Sequence, residues 1–391
     1  MQVFHNKSKI IITCNKRLSA YLQEETEALG YTIVRSFSTG LELEGSVTDT
    51  IALNLNLRCA SQILYSIKSF TAENPARLYK ELLEIPWEEL IDISGFFSVT
   101  SNVDNETITT PLFANVKVKD AIVDRIKDKK GVRPNSGSDQ NKTVIHLYWK
   151  DDFAEVFIDT SGETLAKHGY RKIPGKAPML EALASSVIMA TKWDRKSTFI
   201  NPMCGSGTLA IEAALIATNK KPGLFRMNYG FMHIIGYDEQ VFFTERRKLK
   251  DQATKEITFK IVASDITEDA IQVSKQNAKT AGVDHLIDFQ VCDFADTQVP
   301  EEAGVVVFNP EYGERLGVHT KLEATYKRIG DFMKTNCKGY TGYIFTGNPD
   351  LAKKIGLRAS RKIEFYNGKL DCRLLEYELY EGSKREPRQT E

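Results

Sequence analysis

The 391-residue chain lacks the marks of several protein classes. Its six cysteines, at 14, 59, 204, 292, 337 and 372, include no CxxC pair. That spacing argues against a zinc centre or a disulfide framework, so neither a metal nor an oxidising compartment is expected. No run of about 18 apolar residues occurs, and no membrane span is expected. The opening Met1-Gln-Val-Phe-His-Asn-Lys7 lacks the charged-then-apolar plan of a secretory signal, which leaves the cytoplasm as the expected setting. Excess charge of either sign is missing too: 52 Lys and Arg balance 52 Asp and Glu. Any nucleic-acid surface must then be a local patch and not a global field. Internal repeats are absent.

What is present falls into two patterns, in a length with room for two or three domains. The first pattern is α+β. Ile10–Thr13 and Tyr31–Val34 read as strands around a helix over Leu18–Leu29, with Gly30 as its stop. Asp49 is expected to cap a helix lined by Leu53, Leu57, Ala60 and Leu64. Asn74-Pro75 opens another helix, Phe96–Val99 is strand-like, and a basic helix over Val116–Lys130 ends at Gly131. Two strands follow, Val144–Tyr148 and Ala154–Ile158. From about Ser161 the chain alternates strand, loop and helix. Strands are expected at Thr198–Ile200, Ile261–Ala263, Ile287–Val291, Val305–Phe308 and Gly342–Phe345, which predicts a doubly wound, mostly parallel sheet. Near the end, Asn367-Gly368 between two apolar runs signals an antiparallel hairpin. Gly382–Glu391 is charged and apolar-poor and reads as a disordered tail.

Two short runs carry the chemistry. Asn201-Pro-Met-Cys-Gly-Ser-Gly-Thr208 follows one expected strand, with small residues that let a ligand approach the backbone. It is not GxGxxG, because Ala210 stands three places after Gly207. Asp265 closes the next strand, where a carboxylate can accept from two ribose hydroxyls, and Asp293 follows the one after, within reach of an adenine amine. Each acid alone also serves as a helix cap or a solvated loop residue. Together the three strand ends mark the crevice where this fold binds ligands. An adenosine-containing cofactor is the economical reading. S-adenosylmethionine fits best, since it has no phosphates and the chain has no GxxxxGK[ST] loop. The candidate cofactor set is Asn201, Met203, Cys204, Gly205, Gly207, Asp265, Asp293 and Asn309.

The second run, Asn309-Pro-Glu-Tyr312, suits a flat, amine-bearing substrate. An exocyclic nucleobase amine has its lone pair delocalised into the ring. Two acceptors gripping its hydrogens, the Asn309 side-chain oxygen and the Pro310 carbonyl, would restore the nucleophile. Tyr312 would stack on the base, worth about 1–3 kcal/mol. Asn309, Pro310 and Tyr312 are therefore the candidate catalytic residues.

At these residues the chain resembles the THUMP-domain class I RNA methyltransferases, and most of all the bacterial 23S rRNA guanine-N(2) enzymes. Asn201–Thr208 resembles the family's DPMCGSGT loop and Phe308–Leu316 its NPPYGERL loop. Ser161–Arg171 resembles SGESLHKRGYR, and Ala177-Pro178 with Glu181 the helix that follows. Lys119–Arg125 and Arg133-Pro134 resemble THUMP motifs, and Tyr366–Arg373 the terminal hairpin. Asn201 and Glu311 depart from the pattern, standing where the family has Asp and Pro. The resemblance implies a ferredoxin-like region over 1–43, a THUMP RNA-binding domain over 44–160 and a Rossmann-like methyltransferase domain over 161–381. It implies transfer of methyl from S-adenosylmethionine to a guanosine 2-amino nitrogen in 23S rRNA. The same chemistry on tRNA and a non-catalytic assembly factor are its alternatives. RNA, foremost 23S rRNA or a pre-50S particle, is the implied partner, with no membrane and no metal. In that setting Lys117, Lys119, Arg125, Lys129, Lys130 and Arg133 become candidate phosphate contacts, with Lys167, Arg171, Lys172 and Lys176 as a second cluster. Arg246-Arg-Lys248 with Lys250 is a third.

Overall fold

The computed structural model describes residues 2–108, 110–173, 179–312 and 319–380. The expected tail Gly382–Glu391, Lys176, Ala177-Pro178 and the Gly313–Leu316 part of the second loop lie outside the described residues. Contacts divide the chain into two units, Met1–His168 with Lys221–Gln252, and Gly169–Lys220 with Ala253–Glu391.

In the first unit the chain runs β1 (Ser8–Thr13), α1 (Ser19–Ala28), β2 (Ile33–Phe37), β3 (Gly40–Gly45), α2 (Val47–Asn56), β4 (Gln62–Thr71) and α3 (Pro75–Leu83). It continues through β5 (Phe96–Asp104), α4 (Pro111–Lys130), β6 (Asn135–Gly137), β7 (Thr143–Lys150) and β8 (Phe153–Asp159). All eight strands form one sheet in the order β2-β3-β1-β4-β8-β7-β5-β6. The boundary drawn between residues 43 and 44 falls inside β3. That strand was not anticipated, although Leu41 and Leu43 are buried and alternate with Glu42 and Glu44 as a half-buried strand requires.

A second correction concerns α2. Its cap is Ser46, whose side chain accepts from the Asp49 amide while Asp49 answers to the Ser46 amide, a capping box. The helix stops at Asn56, and Leu64 belongs to β4. The apolar spacing that suggested one long helix was a helix followed by a strand. In α4 the predicted end holds, with Gly131 at φ +69° as its C-cap, but the helix begins at Pro111 and not Val116; Val118, Ala121, Ile122 and Ile126 lie on the buried face. Lys127, Lys129 and Lys130 in the last turn are thereby left exposed.

The second unit begins with α5 (Glu181–Ala190), β9 (Thr198–Pro202) and α6 (Thr208–Ala217). The chain then returns to the first unit with α7 (Glu239–Gln252). It resumes with β10 (Ile261–Asp265), α8 (Glu268–Ala281), β11 (Ile287–Val291), β12 (Gly304–Phe308), α9 (His319–Asn336), β13 (Thr341–Thr346), α10 (Pro349–Lys354), β14 (Arg361–Asn367) and β15 (Leu370–Glu378). The sheet order is β11-β10-β9-β12-β13-β15-β14. Strands β11 to β13 are parallel in that order, and β15 and β14 add antiparallel. This is the expected mostly parallel sheet with a terminal hairpin. Phe294, Phe308 and Phe332 meet edge-to-face with centroids 6.0 to 6.3 Å apart and fill the core beneath β12. The hairpin turn itself is Gly368-Lys369, because Asn367 still pairs with Leu370. Gly368 alone has positive φ, at +61°, as a glycine-first two-residue turn requires.

Candidate active site

From β9 the chain builds outward to β10 and β11, then crosses back to lay β12 on the other side of β9. Ligands bind at such a reversal, beyond the carboxyl ends of the strands. The two loops singled out in the sequence leave β9 and β12 at this point. The last backbone pair between these strands is Ile200 with Val306. Beyond it, the Asn201 Nδ2 donates to the Val307 carbonyl at 2.9 Å, so a side chain continues the link as the strands part. An aspartate could not donate there. Two amide oxygens in this region, Asn201 Oδ1 and Asn309 Oδ1, are shielded from solvent and have no hydrogen-bond partner among the described residues. Leaving a buried acceptor unpaired costs about 1–3 kcal/mol, so each is open to a donor from water or a ligand.

The loop after β9 is twisted. Met203, Gly205 and Gly207 have φ of +55°, +55° and +80°. Its main chain is pinned at several atoms: the Cys204 amide donates to the Ser264 carbonyl at 2.9 Å, and the Gly205 amide to Asp265 Oδ2 at 3.0 Å. From α8, Ser274 Oγ donates to the Gly205 carbonyl at 2.7 Å and Asn277 Nδ2 to the Ser206 carbonyl at 3.3 Å. The two glycines differ. A Cβ on Gly207 would lie 2.9 Å from Ser274 Oγ, whereas one on Gly205 would meet nothing within 4 Å. Gly207 thus serves loop-to-helix packing, and Gly205 borders open space. Burial pushes the Cys204 thiol up to about 12, so Cys204 offers backbone and bulk here, not a thiolate.

Asp265 is half-exposed, with Oδ2 taken by Gly205 and Oδ1 accepting from Thr267. It orients the loop and remains open to solvent. For Asp293, burial works to raise the carboxyl pKa, but the Ala295 amide and Arg328 hold it below the usual range. Both bonds end on Oδ1, at 2.9 and 2.7 Å. The sequence reading missed Arg328, which also lies 4.9 Å over the Phe294 ring. It missed Ser274 and Asn277, whose signal was polar residues on the buried stripe of α8. Ile266, directly after Asp265, is 67% exposed and puts an apolar face at the same strand end.

In the second loop Pro310 is buried, Asn309 and Tyr312 are half-buried and Glu311 is exposed. Tyr312 is tied down: Asn348 Nδ2 donates to its carbonyl at 3.3 Å and Asn367 Nδ2 to its phenol at 3.0 Å. Asn309 with its orphaned oxygen and Tyr312 with its fixed ring therefore sit on one short segment at the crevice.

The basic residues divide. Lys129, Lys130, Arg133 and Lys167 are exposed in the first unit and Lys172 in the second. Lys117 and Lys119 are half-buried, Lys117 lying 5.5 Å over Phe113 and Lys119 pairing with Asp120 at 3.1 Å. Arg125 is committed to Glu88 at 2.9 Å and to the Leu83 carbonyl. Arg171 is a correction: its side chain is largely withdrawn from solvent and pairs with Glu181 at 2.7 Å, while donating to Met179 and Thr208. It braces the start of α6 and presents no charge to solvent. Arg246 is likewise buried, donating to the carbonyls of Gly223, Leu224 and Arg226. Among the described residues no helix is long and apolar enough to cross a membrane.

Known proteins share this arrangement. Residues 9–64 match the RlmL ferredoxin-like domain, 72–159 the THUMP domain, and 168–376 the RMKL-like methyltransferase domain. The chain is 35% identical over 384 residues to ribosomal RNA large subunit methyltransferase K/L of Syntrophotalea carbinolica, covering 95% of itself and 54% of that relative. It is 34% identical over 373 residues to the protein of that name from Allochromatium vinosum, covering 93% and 51%. The chain thus spans about half the length of the curated relatives it matches. SMU.472, solved in complex with SAH, superposes with a TM-score of 0.86 at 25% identity, over 96% of this chain and 99% of that one. With a match across more than half its length, the chain belongs to the RMKL-like family of S-adenosylmethionine-dependent methyltransferases, with RlmL ferredoxin-like and THUMP domains ahead of the methyltransferase domain.

Proposed function

We propose that the protein methylates the 2-amino nitrogen of a guanosine in 23S rRNA. The observation that carries this reading is the orphaned Asn309 oxygen, set in one loop with Pro310 and Tyr312 at the sheet's reversal. Bound S-adenosylmethionine supplies a methyl group on a sulfonium. The residues proposed to hold it are Asn201, Met203, Cys204, Gly205 and Gly207 through the loop, Asp265 at the ribose, Asp293 at the adenine amine and Ile266 against the ring. Asn309 borders both ligands. Asn201 Oδ1 suits the donor a methionine ammonium provides, and the open space at Gly205 suits close approach.

On the substrate side, Asn309 Oδ1 and the Pro310 carbonyl accept the two amine hydrogens and turn the nitrogen lone pair out of conjugation. Tyr312 holds the base plane, and the target guanosine must leave its stack to reach it. A strong general base is not needed, because the methylated amine carries a surplus proton acidic enough to pass to water. The exposed Lys129, Lys130, Arg133, Lys167 and Lys172, with Lys117 and Lys119, are proposed as phosphate contacts that position RNA without reading sequence. Affinity then falls steeply with added salt.

Tritium transfer from labelled S-adenosylmethionine tests the reading, with undermethylated 23S rRNA, pre-50S particles, tRNA and duplex DNA as separate acceptors. Label in 2-methylguanosine from 23S rRNA or the particle is the expected result. Label from tRNA alone moves the substrate, and label in methyladenine from DNA overturns both base and polymer.

A further inference from the structure

The proposed chemistry leaves the terminal hairpin and the exit of β13 unused, yet both reach into the site. Asn367 is the last residue of β14, and since the turn is Gly368-Lys369 its side chain is not spent on the turn. It donates instead to the Tyr312 phenol at 3.0 Å. The buried Cys372 thiol lies across the hairpin, close enough to the same phenol to feel it. Asn348 uses both ends of its amide. Its oxygen accepts from the Asp350 and Leu351 amides at 3.0 and 3.1 Å and caps α10, and its nitrogen reaches the Tyr312 carbonyl at 3.3 Å. Gly347 completes the seat: a Cβ there would lie 3.3 Å from Tyr312 Cδ2 and 2.6 Å from Leu370. A side chain there would press first on Leu370 and then, more lightly, on the ring edge.

We infer that Asn367 and Asn348 are positioning residues that fix Tyr312 in the orientation needed to receive the substrate base, which makes the terminal hairpin part of the catalytic apparatus. The inference rests on the proposed role of Tyr312. A tyrosine on a loop loses backbone and rotamer freedom when a base stacks on it, and fixing it beforehand removes that cost from the reaction. The phenol is a handle, held by Asn367, and takes no part in proton transfer.

The test places 3-fluorotyrosine at position 312 of the full chain and follows its fluorine resonance. Asn367→Ala should move the line toward that of the free amino acid and narrow it. Asn348→Asp keeps the cap acceptor, removes the donor and should act in the same direction. In turnover, Asn367→Ala should lower kcat by about tenfold in the native background and not at all beyond the loss in Tyr312→Phe, with affinity for S-adenosylhomocysteine unchanged. An unmoved fluorine line in both variants overturns the inference, as do losses that multiply in Tyr312→Phe/Asn367→Ala. A line that moves in a protein that methylates no RNA upholds the tether and refutes the proposed function.

Discussion

The loop after β9 is held through its own main chain by neighbours in the next strand and helix: Ser264, Asp265, Ser274 and Asn277. The loop after β12 is held at Tyr312 alone, by the side chains of Asn348 on its carbonyl and Asn367 on its phenol. A main-chain-bonded loop keeps its shape through most substitutions of its own side chains. A loop hung on two asparagine amides, one of them reaching only a phenol, depends on those two residues and on the tyrosine they hold. Cofactor binding and methyl transfer should therefore fail separately, and the following substitutions ask whether they do.

The largest effect is expected at Asn309. Asn309→Ala removes an acceptor proposed to act on the reacting amine and should cost about a hundred- to a thousandfold in kcat. Calorimetric affinity for S-adenosylhomocysteine should stay within about twofold, and loss of that affinity instead would place Asn309 on the cofactor side only. Next come the two glycines. Gly207→Ala meets Ser274 at 2.9 Å with φ at +80° and should cost about 1–3 kcal/mol of stability, read as a lowered Tm. Gly205→Ala has open space and a φ of +55°, and should lose more in cofactor affinity than in Tm. Equal melting losses in the two variants would erase the distinction drawn between them.

Glu376 asks whether the hairpin carries the catalytic loop. Its buried carboxylate accepts from Lys192, Ser360, Arg361 and the Tyr343 phenol at 2.8 to 3.2 Å, joining β13, β14 and β15. Burial works to raise its pKa, but Lys192, Ser360 and Arg361 hold it below the ordinary value of 4.5. A depressed carboxyl contributes its stabilisation in full above the unfolded value and loses it as pH falls through the folded one. Glu376→Gln should cost about 1–3 kcal/mol at neutral pH and flatten the fall of Tm below pH 4.5, by calorimetry across pH. It should also lower kcat more than cofactor affinity, because the hairpin bears Asn367. The smallest effect is expected at the exposed Glu311: Glu311→Gln should leave kcat unchanged and tighten RNA binding by no more than about fivefold, read by filter binding.

Much of the second unit was legible because its signals are local. Each parallel strand is a short apolar run, each helix follows a cap or a small-residue turn, and the loops carry their residues contiguously. The first unit hid more. Leu41 and Leu43 mark β3 only as a four-residue alternation, and Leu64 matched a helical period by coincidence. Charge patterns misled in one respect: Arg171 and Arg246 look in sequence like their exposed neighbours, and only packing shows that Glu181 and a ring of carbonyls hold them inside.

By itself the amino-acid sequence determined the parallel sheet, the two loops at its reversal and the residue types that suit a methylated base. Periodicity, caps and contiguous motifs act over a few residues, where sequence spacing and spatial spacing coincide. Only the tertiary structure decided that Lys221–Gln252 belongs with the first unit, which arginines are spent in the interior, and that Asn348 and Asn367 seat Tyr312. Those outcomes depend on hydrogen bonds between residues far apart in the chain, and no local pattern says which distant amide a given phenol or carbonyl will meet.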